Sequence, residues 1–225
     1  MKGGDGEIPG LKRLAGLLGF TRFTRGRRKA IIRAMAILKI ARMGHPLLKQ
    51  VAEAVSDPRA PEIGMLVEDM IDTLADAAGA GLAAPQVHVP LRLVMFHVSA
   101  ARAHREDGEE AEACPFTVLI NPEIELLGED MTESLESCLS MPGLAGKVPR
   151  YSHIRYRGVD HLGATIKREA RGFHARVVQH ECDHLDGILY PMRMRDLSTL
   201  TFTSELSLAP PEEAEEAEEA EEAEE

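Results

Sequence analysis

Two histidines late in the chain, His180 and His184, stand four residues apart, and Glu181 directly follows the first. On a helix this spacing puts both imidazoles on one face, one turn apart, where they can bind a single metal ion. Glu181 can then approach an attacking water without itself being a ligand. The pattern predicts metal-dependent hydrolysis, although two unrelated histidines on a polar helix face can produce the same spacing by chance. The other histidines of the chain, which include His174, have no ligand spacing and are expected at the surface or in loops.

A catalytic metal site of this kind needs a third protein ligand and one open position. A metzincin protease would place a histidine six residues after His184, where this chain has Tyr190. A thermolysin-like protease would supply a glutamate from a further helix downstream of the motif. Between Glu181 and the terminal glutamate run, the only glutamate of this chain is Glu205. Both endopeptidase classes fit poorly, and a cysteine thiolate is the remaining candidate.

The chain has three cysteines, an odd number without the spacing of a disulfide framework, which predicts reduced thiols in an intracellular compartment. Cys182 lies between the two histidines and points away from their shared face, so we expect a buried core residue. Cys114 precedes a proline beside a charged segment and receives no role. Cys138 lies between a predicted strand and a proline–glycine turn, and no competing explanation accounts for it.

The surrounding patterns predict an α+β fold, with antiparallel sheets and hairpins packed around a late central helix that carries the metal motif. The predicted helices span residues 62–78, with Gly79 as a stop, and 172–186, with Gly187 at the end. The predicted strands are 91–98, 116–122 and a β-hairpin from 154 to 170. The charged segment 101–113 is predicted to be a loop.

Two unusual ends flank a predicted domain over residues 35–209. Residues 1–34 carry nine Lys or Arg and two acids, which is typical of a false start before Met35, a disordered basic arm or an organelle-targeting segment. Residues 210–225 form an acidic low-complexity tail that we expect to be solvated and disordered. The net charge of −11 and the mildly acidic body predict no DNA partner, and no apolar run is long enough for a membrane span.

Three segments, in this order, resemble the signature motifs of the peptide deformylase family. They are GAGLAAPQ over 79–86, ESCLS over 136–140 and QHECDHLDG over 179–187. The resemblance spans about residues 35–206. It departs from the usual pattern at Ser137, where glycine is usual, and at Ala80, where a larger apolar residue is usual and whose small side chain is expected to widen the cleft.

The resemblance implies a role for each matching residue. The implied metal ligands are Cys138, His180 and His184. Glu181 would act as general base and then as general acid, while the Gln86 side-chain amide and the Leu139 backbone N–H would stabilise the oxyanion. The expected substrate contacts are Ala80, Gly81, Ser137, Arg150 and Val177. Asp183 is expected to form a structural ion pair with Arg150 or Arg155.

The implied activity is hydrolysis of the N-formyl group from the formyl-methionine of nascent polypeptides, with release of formate. The implied cofactor is one divalent metal per chain, natively Fe(II), with Zn(II), Ni(II) or Co(II) able to use the same ligands. The implied partners are formyl-methionyl peptides and, transiently, the ribosome, in the bacterial cytoplasm. Residues 1–34 leave a mitochondrial or plastid location open. Ser137 and Ala80 leave open a catalytically weak metal-binding or ribosome-associated module.

Overall fold

A computed structural model describes residues 36–107 and 113–208. The predictions made for residues 1–34 and 210–225 lie outside these residues. The described part has the predicted α+β class, with two antiparallel sheets and a late helix. The three α-helices of the described residues are α1 (Pro61–Ala77), α2 (Ala100–Asp107) and α3 (Gly172–Leu185). No helix in the described residues is both long and apolar enough to cross a bilayer.

The larger sheet has five strands in the order β1-β2-β3-β6-β7. Its strands are β1 (Gly81–Ala83), β2 (Leu93–Val98), β3 (Cys114–Leu126), β6 (His153–Val159) and β7 (Thr165–Arg171). The predicted hairpin is confirmed as the β6–β7 pair, in register from His153 opposite Arg171 to Val159 opposite Thr165. The smaller sheet contains β4 (Met131–Ser137), β5 (Leu144–Tyr151) and β8 (Thr201–Phe202) in that order.

Both faces of the larger sheet are covered, which explains why β2 is an almost continuous apolar run. Leu93 and Met95 point to one face and join the core cluster of α1, whereas Val94 and Phe96 point to the other face and join the cluster of α3. All four side chains are fully buried. A strand buried on both faces needs apolar residues at every position rather than at alternate ones.

The motif helix α3 is central. All of its residues except Gly172 and His180 are buried, including the polar side chains of its last two turns. It ends before Gly187, whose φ of 71° and close approach to the backbone of Lys49 both require glycine. Because α3 is enclosed on nearly every side, its metal-motif side chains are held against neighbouring elements and have little freedom to move.

The structure corrects two expectations about the other helices. The helix α1 ends with Ala78 in the left-handed region at φ 51°, one residue before the predicted Gly79 stop. Segment 101–113 was predicted as a loop from its charge, but α2 occupies most of its first half. The Ser99 hydroxyl accepts a hydrogen bond from the Arg102 N–H, and Ala103 is buried in the α3 cluster, so a cap and one core contact support this charged helix.

Candidate metal centre

The helix α3 brings His180, Glu181 and His184 to one end of the cleft between the two sheets. The two imidazole rings lie 5.1 Å apart between centroids, as expected for an i, i+4 pair. Cys138 follows directly after β4, where the chain leaves the smaller sheet. Its Sγ lies 3.3 Å from His184 Nε2.

The ligand atoms of Cys138, His180 and His184 all lie within 4.8 Å of one another. One sulfur and two imidazole nitrogens are a ligand set for Zn(II) or Fe(II), with bonds of roughly 2.0–2.3 Å. A group of this size can surround one ion and leave one position open. The predicted trio is therefore brought together with a spacing and chemistry that fit a metal.

Glu136 is a carboxylate of the centre to which the sequence analysis gave no role. Its Oε2 lies 2.8 Å from His180 Nδ1, so the other ring nitrogen of His180 is directed towards the cysteine. Arg150 donates to both carboxylate oxygens, at 2.8 and 2.9 Å, and Arg176 donates to Oε1 at 2.9 Å. Burial alone would raise the pKa of Glu136, but the hydrogen bonds from Arg150 and His180 outweigh it and hold that pKa well below its usual range.

Arg150 links Glu136 to Asp183 and is almost completely buried. Its second amino group donates to Asp183 at 2.5 Å, which confirms one of the two expected partners for that aspartate. Arg155, the other expected partner, instead pairs with Glu125 and Glu169 at the surface. Arg193, which the sequence analysis missed, completes the Asp183 contacts at 2.7 Å. We call Glu136, Arg150, Arg176, Asp183 and Arg193 the ion-pair layer.

Glu181 lies on the cleft side of the helix in a different environment. It is buried, and its Oε2 has no hydrogen-bond partner among the described residues. Burial raises the pKa of this carboxyl to about 7. A Cβ added at Gly81 would overlap the Glu181 carboxylate, so the glycine leaves the space that this side chain occupies.

Gln86 lies in a short 3-10 helix, Ala84–Val87, and both ends of its side-chain amide form hydrogen bonds. The Ala83 N–H donates to its Oε1 at 2.8 Å, while its Nε2 donates to the Ser140 hydroxyl at 3.1 Å and lies 3.6 Å from Cys138 Sγ. These contacts fix the amide with its donor end towards the cysteine. Ser140 stood in the second motif but had no predicted role.

A cleft of about 450 Å³ opens at the centre. Its lining includes four of the expected substrate contacts, Ala80, Gly81, Ser137 and Val177, as well as Gln86, Cys138, Leu139, His180 and Glu181. Arg150 is the exception: it lies in the ion-pair layer and does not line this cleft, because Glu136 and Asp183 hold its guanidinium. Ser137 pairs with Ala145 across β4 and β5, and it is not among the described residues with positive φ, so its Cβ causes no backbone strain.

The remaining histidines were expected at the surface or in loops, and His174 is a clear error. Its side chain is buried in α3, 3.2 Å from the Tyr156 hydroxyl, and burial lowers its pKa to about 4. The others in this prediction are His45, His88, His97, His104, His153 and His161. The side chain of His104 lies outside the described residues. Cys182 is a buried member of the core cluster, as predicted.

Comparison with known proteins agrees with the motifs. The family model for polypeptide deformylase matches residues 37–199. Peptide deformylase 1 of Nitrosomonas europaea is 52% identical over 170 residues, which cover 76% of this chain and 94% of that protein. Peptide deformylase 1 of Bordetella pertussis is 52% identical over 167 residues, covering 74% of this chain and 93% of that protein.

Solved structures show the same relationship. A crystal structure of class I type b peptide deformylase from Acinetobacter baumannii with Met-Ala-Ser bound has a TM-score of 0.64 at 30% identity, covering 72% of this chain and all of that one. Peptide deformylase from Ehrlichia chaffeensis has a TM-score of 0.66 at 28% identity, covering 73% of this chain and 91% of that one. By motif, sequence and fold, this chain belongs to the polypeptide deformylase family.

Proposed function

We propose that this chain hydrolyses the formamide bond of N-formylmethionyl peptides and releases formate. The observation that carries the proposal is that Gln86, Cys138 and Glu181 line one cleft, each with a different chemical capability. The polypeptide deformylases are metal-dependent hydrolases, and the alternative of a catalytically weak binding module is not favoured. A weak module would have no need of an oriented amide and a buried carboxylate beside the same ligands.

The proposed metal ligands are Cys138, His180 and His184. A thiolate with two imidazoles suits Fe(II) or Zn(II) better than Mg(II) or Ca(II). Fe(II) is the proposed native ion, and Zn(II), Ni(II) or Co(II) could use the same three side chains. When bound, the ion supplies Lewis acidity, which makes water a usable nucleophile near neutral pH.

The proposed role of Glu181 is to move protons. Its carboxylate takes a proton from the attacking water and returns it to the amine nitrogen as the C–N bond breaks. A pKa of about 7 suits both halves of this exchange, because the group is then neither a very weak base nor a very weak acid at neutral pH. Its Oε2, which has no hydrogen-bond partner among the described residues, is available to accept the proton.

The proposed oxyanion donors are Gln86 Nε2 and the Leu139 N–H, which donates to no backbone carbonyl of the described residues. Each donor held ready in this way contributes roughly 2.7–4 kcal/mol to stabilising the transition state. The substrate methionine and the following backbone would contact Ala80, Gly81, Ser137 and Val177. The relative from A. baumannii has the peptide Met-Ala-Ser bound, which supports a cleft that accepts an N-terminal methionine.

The relatives described above are bacterial, which supports the bacterial cytoplasm as the proposed place of action. Formylated nascent chains emerge from the ribosome there, so a transient ribosome contact is part of the proposal.

Formate release from formyl-Met-Ala-Ser tests the proposal, with full-length protein purified without air and loaded with Fe(II). We expect steady release by the wild type and a loss on the order of 10⁴-fold in Glu181→Ala, with the metal content unchanged. Glu181→Gln keeps the size of the side chain but cannot exchange the proton, and it serves as the matched variant. A fully active Glu181→Ala protein would contradict the assigned mechanism, and an inactive wild type with bound metal would contradict the activity.

A further inference from the structure

The helix α2 places an arginine in the wall of the cleft. Arg102 lines the cleft together with Phe173 and Val177 of α3. The Ser99 hydroxyl accepts a hydrogen bond from the Arg102 backbone N–H, and the next residue, Ala103, is only 1% exposed and packs in the core. The backbone that carries Arg102 is therefore anchored on both sides.

The Arg102 guanidinium is positioned by an aromatic ring. Its central carbon lies 4.9 Å from the centroid of Phe173, which is a cation–π distance. Its Nε is buried and has no hydrogen-bond partner among the described residues. A buried guanidinium donor without an acceptor is an incomplete site, since such donors are normally paired.

The other cationic side chains of the cleft lining have acidic partners within the described residues. Arg176 donates to Glu136, to the Val148 carbonyl and to the Thr132 carbonyl, so its guanidinium is committed to the protein. His180 is likewise paired with Glu136. Within the described residues, Arg102 is the one cation of the lining for which no acidic partner is found.

The distance from the reacting end of the cleft suggests where on a peptide Arg102 would act. Phe173 lies eight residues before Glu181 on α3, which is about 12 Å along the helix axis. An extended peptide advances about 3.3 Å per residue. For a peptide that runs along α3 away from Glu181, this distance is roughly between three and four residues. Because the guanidinium is offset by 4.9 Å from the Phe173 ring, an acidic side chain on the third residue, or one that extends from the second, could reach it.

We infer that Arg102 is a specificity-determining residue that favours substrates with an acidic side chain at the second or third position. The inference rests on the proposed deformylase function and extends it to substrate choice. A carboxylate at either position would complete the hydrogen bonds of the guanidinium and neutralise its charge. A lysine there would be disfavoured by like-charge repulsion.

The test compares kcat/KM for formate release from C-terminally amidated formyl-Met-Ala-Ser and its variants with Glu or Lys at position two or three. We expect the wild type to prefer Glu over Lys by about tenfold at one of these positions, as for a hydrogen bond to a charged group. Arg102→Gln should bring the ratio close to one, and Arg102→Glu should reverse it. Arg102→Lys should retain part of the preference, because it keeps the charge without the planar stack.

Arg59→Gln is the matched control, because it removes an exposed arginine outside the cleft and changes the net charge equally. It should leave the Glu-to-Lys ratio at the wild-type value. A ratio near one in the wild type, or an unchanged ratio in Arg102→Gln, overturns the inference. In either case, release from formyl-Met-Ala-Ser itself shows that the deformylase function still holds. Absence of release from every peptide would overturn the function instead.

Discussion

Glu136 and Glu181 are two carboxylates of one centre, 6% and 5% exposed, and their pKa values move in opposite directions. Glu136, in the ion-pair layer, accepts hydrogen bonds from Arg150, Arg176 and His180, and its pKa falls. Glu181, on the cleft side, has one oxygen without a hydrogen-bond partner in the described part of the chain, and burial raises its pKa to about 7. Burial acts against the charged form at both sites, so the partners decide the outcome.

The difference assigns separate tasks to two carboxylates that approach the same histidine pair. The ion-pair layer keeps Glu136 charged and orients His180, and it gives that glutamate no proton to exchange near neutral pH. On the cleft side, Glu181 remains able to gain or lose a proton near neutral pH. Substitutions that remove a partner of Glu136, or that replace either glutamate, test this difference between the two carboxylates.

The largest expected effect on stability is that of Arg150→Met. This change removes one buried cationic partner from each acid: Glu136 keeps Arg176, whereas Asp183 keeps only the more exposed Arg193. Removal of one member of a buried ion pair costs roughly 3–5 kcal/mol. Urea denaturation of the metal-free protein would measure the fall in the free energy of unfolding. Arg155→Met is the matched control, since Arg155 also contacts two glutamates but does so at the surface. Equal losses in the two variants would contradict the argument from burial.

The next effect is a pH dependence that comes from Glu181. In the metal-free protein its folded-state pKa of about 7 exceeds its ordinary 4.5, so the folded state binds more protons between these values. Stability is therefore expected to fall as pH rises from about 4.5 to about 7. Glu181→Gln should remove this contribution, and the gap between variant and wild type should approach roughly 3 kcal/mol above pH 7. Parallel stability curves for the two proteins would refute the shifted pKa.

A smaller effect is expected for Glu136→Gln. The amide can still meet His180, but it loses the charge that three donors are arranged to bind, and a change next to a metal ligand typically lowers metal affinity or activity 10–100-fold. Metal content after dialysis against a chelator and kcat for formyl-Met-Ala-Ser would both report the loss. Glu133→Gln on the same strand is the control, because Glu133 is exposed and lies outside the cleft lining. A Glu136→Gln protein that holds metal as tightly as the wild type would show that the charge is dispensable.

The parts of the site that residue spacing alone predicted are local, whereas Cys138 and Gln86 were predicted from the family resemblance. The i, i+4 histidines, the intervening Glu181 and the end of the helix at Gly187 all follow from helical geometry within nine residues. The β6–β7 hairpin was likewise predicted from adjacent apolar runs. The class of the fold followed because these local elements leave few ways to bury their apolar faces.

The parts that the sequence did not predict depend on contacts between distant residues. Glu136 and His180 are 44 positions apart, so no periodicity connects them. Charge alone suggested a loop at 101–113, whereas the Ser99 cap and the buried Ala103 favour α2. His174 was expected at the surface or in a loop because it has no ligand spacing, and nothing in the sequence indicates that Tyr156 lies opposite it.

The contact between Gly81 and the Glu181 carboxylate has a consequence for how such a chain can diverge. Any side chain at position 81 would displace the proposed base, so drift in the glycine-rich segment is limited by a residue of α3 far downstream. Positions 81 and 181 are therefore expected to change together, because a larger residue at position 81 requires a different side chain at position 181. Adaptation of the cleft to new substrates is then easier at the neighbouring Ala80, which lines the same cleft and already carries a Cβ.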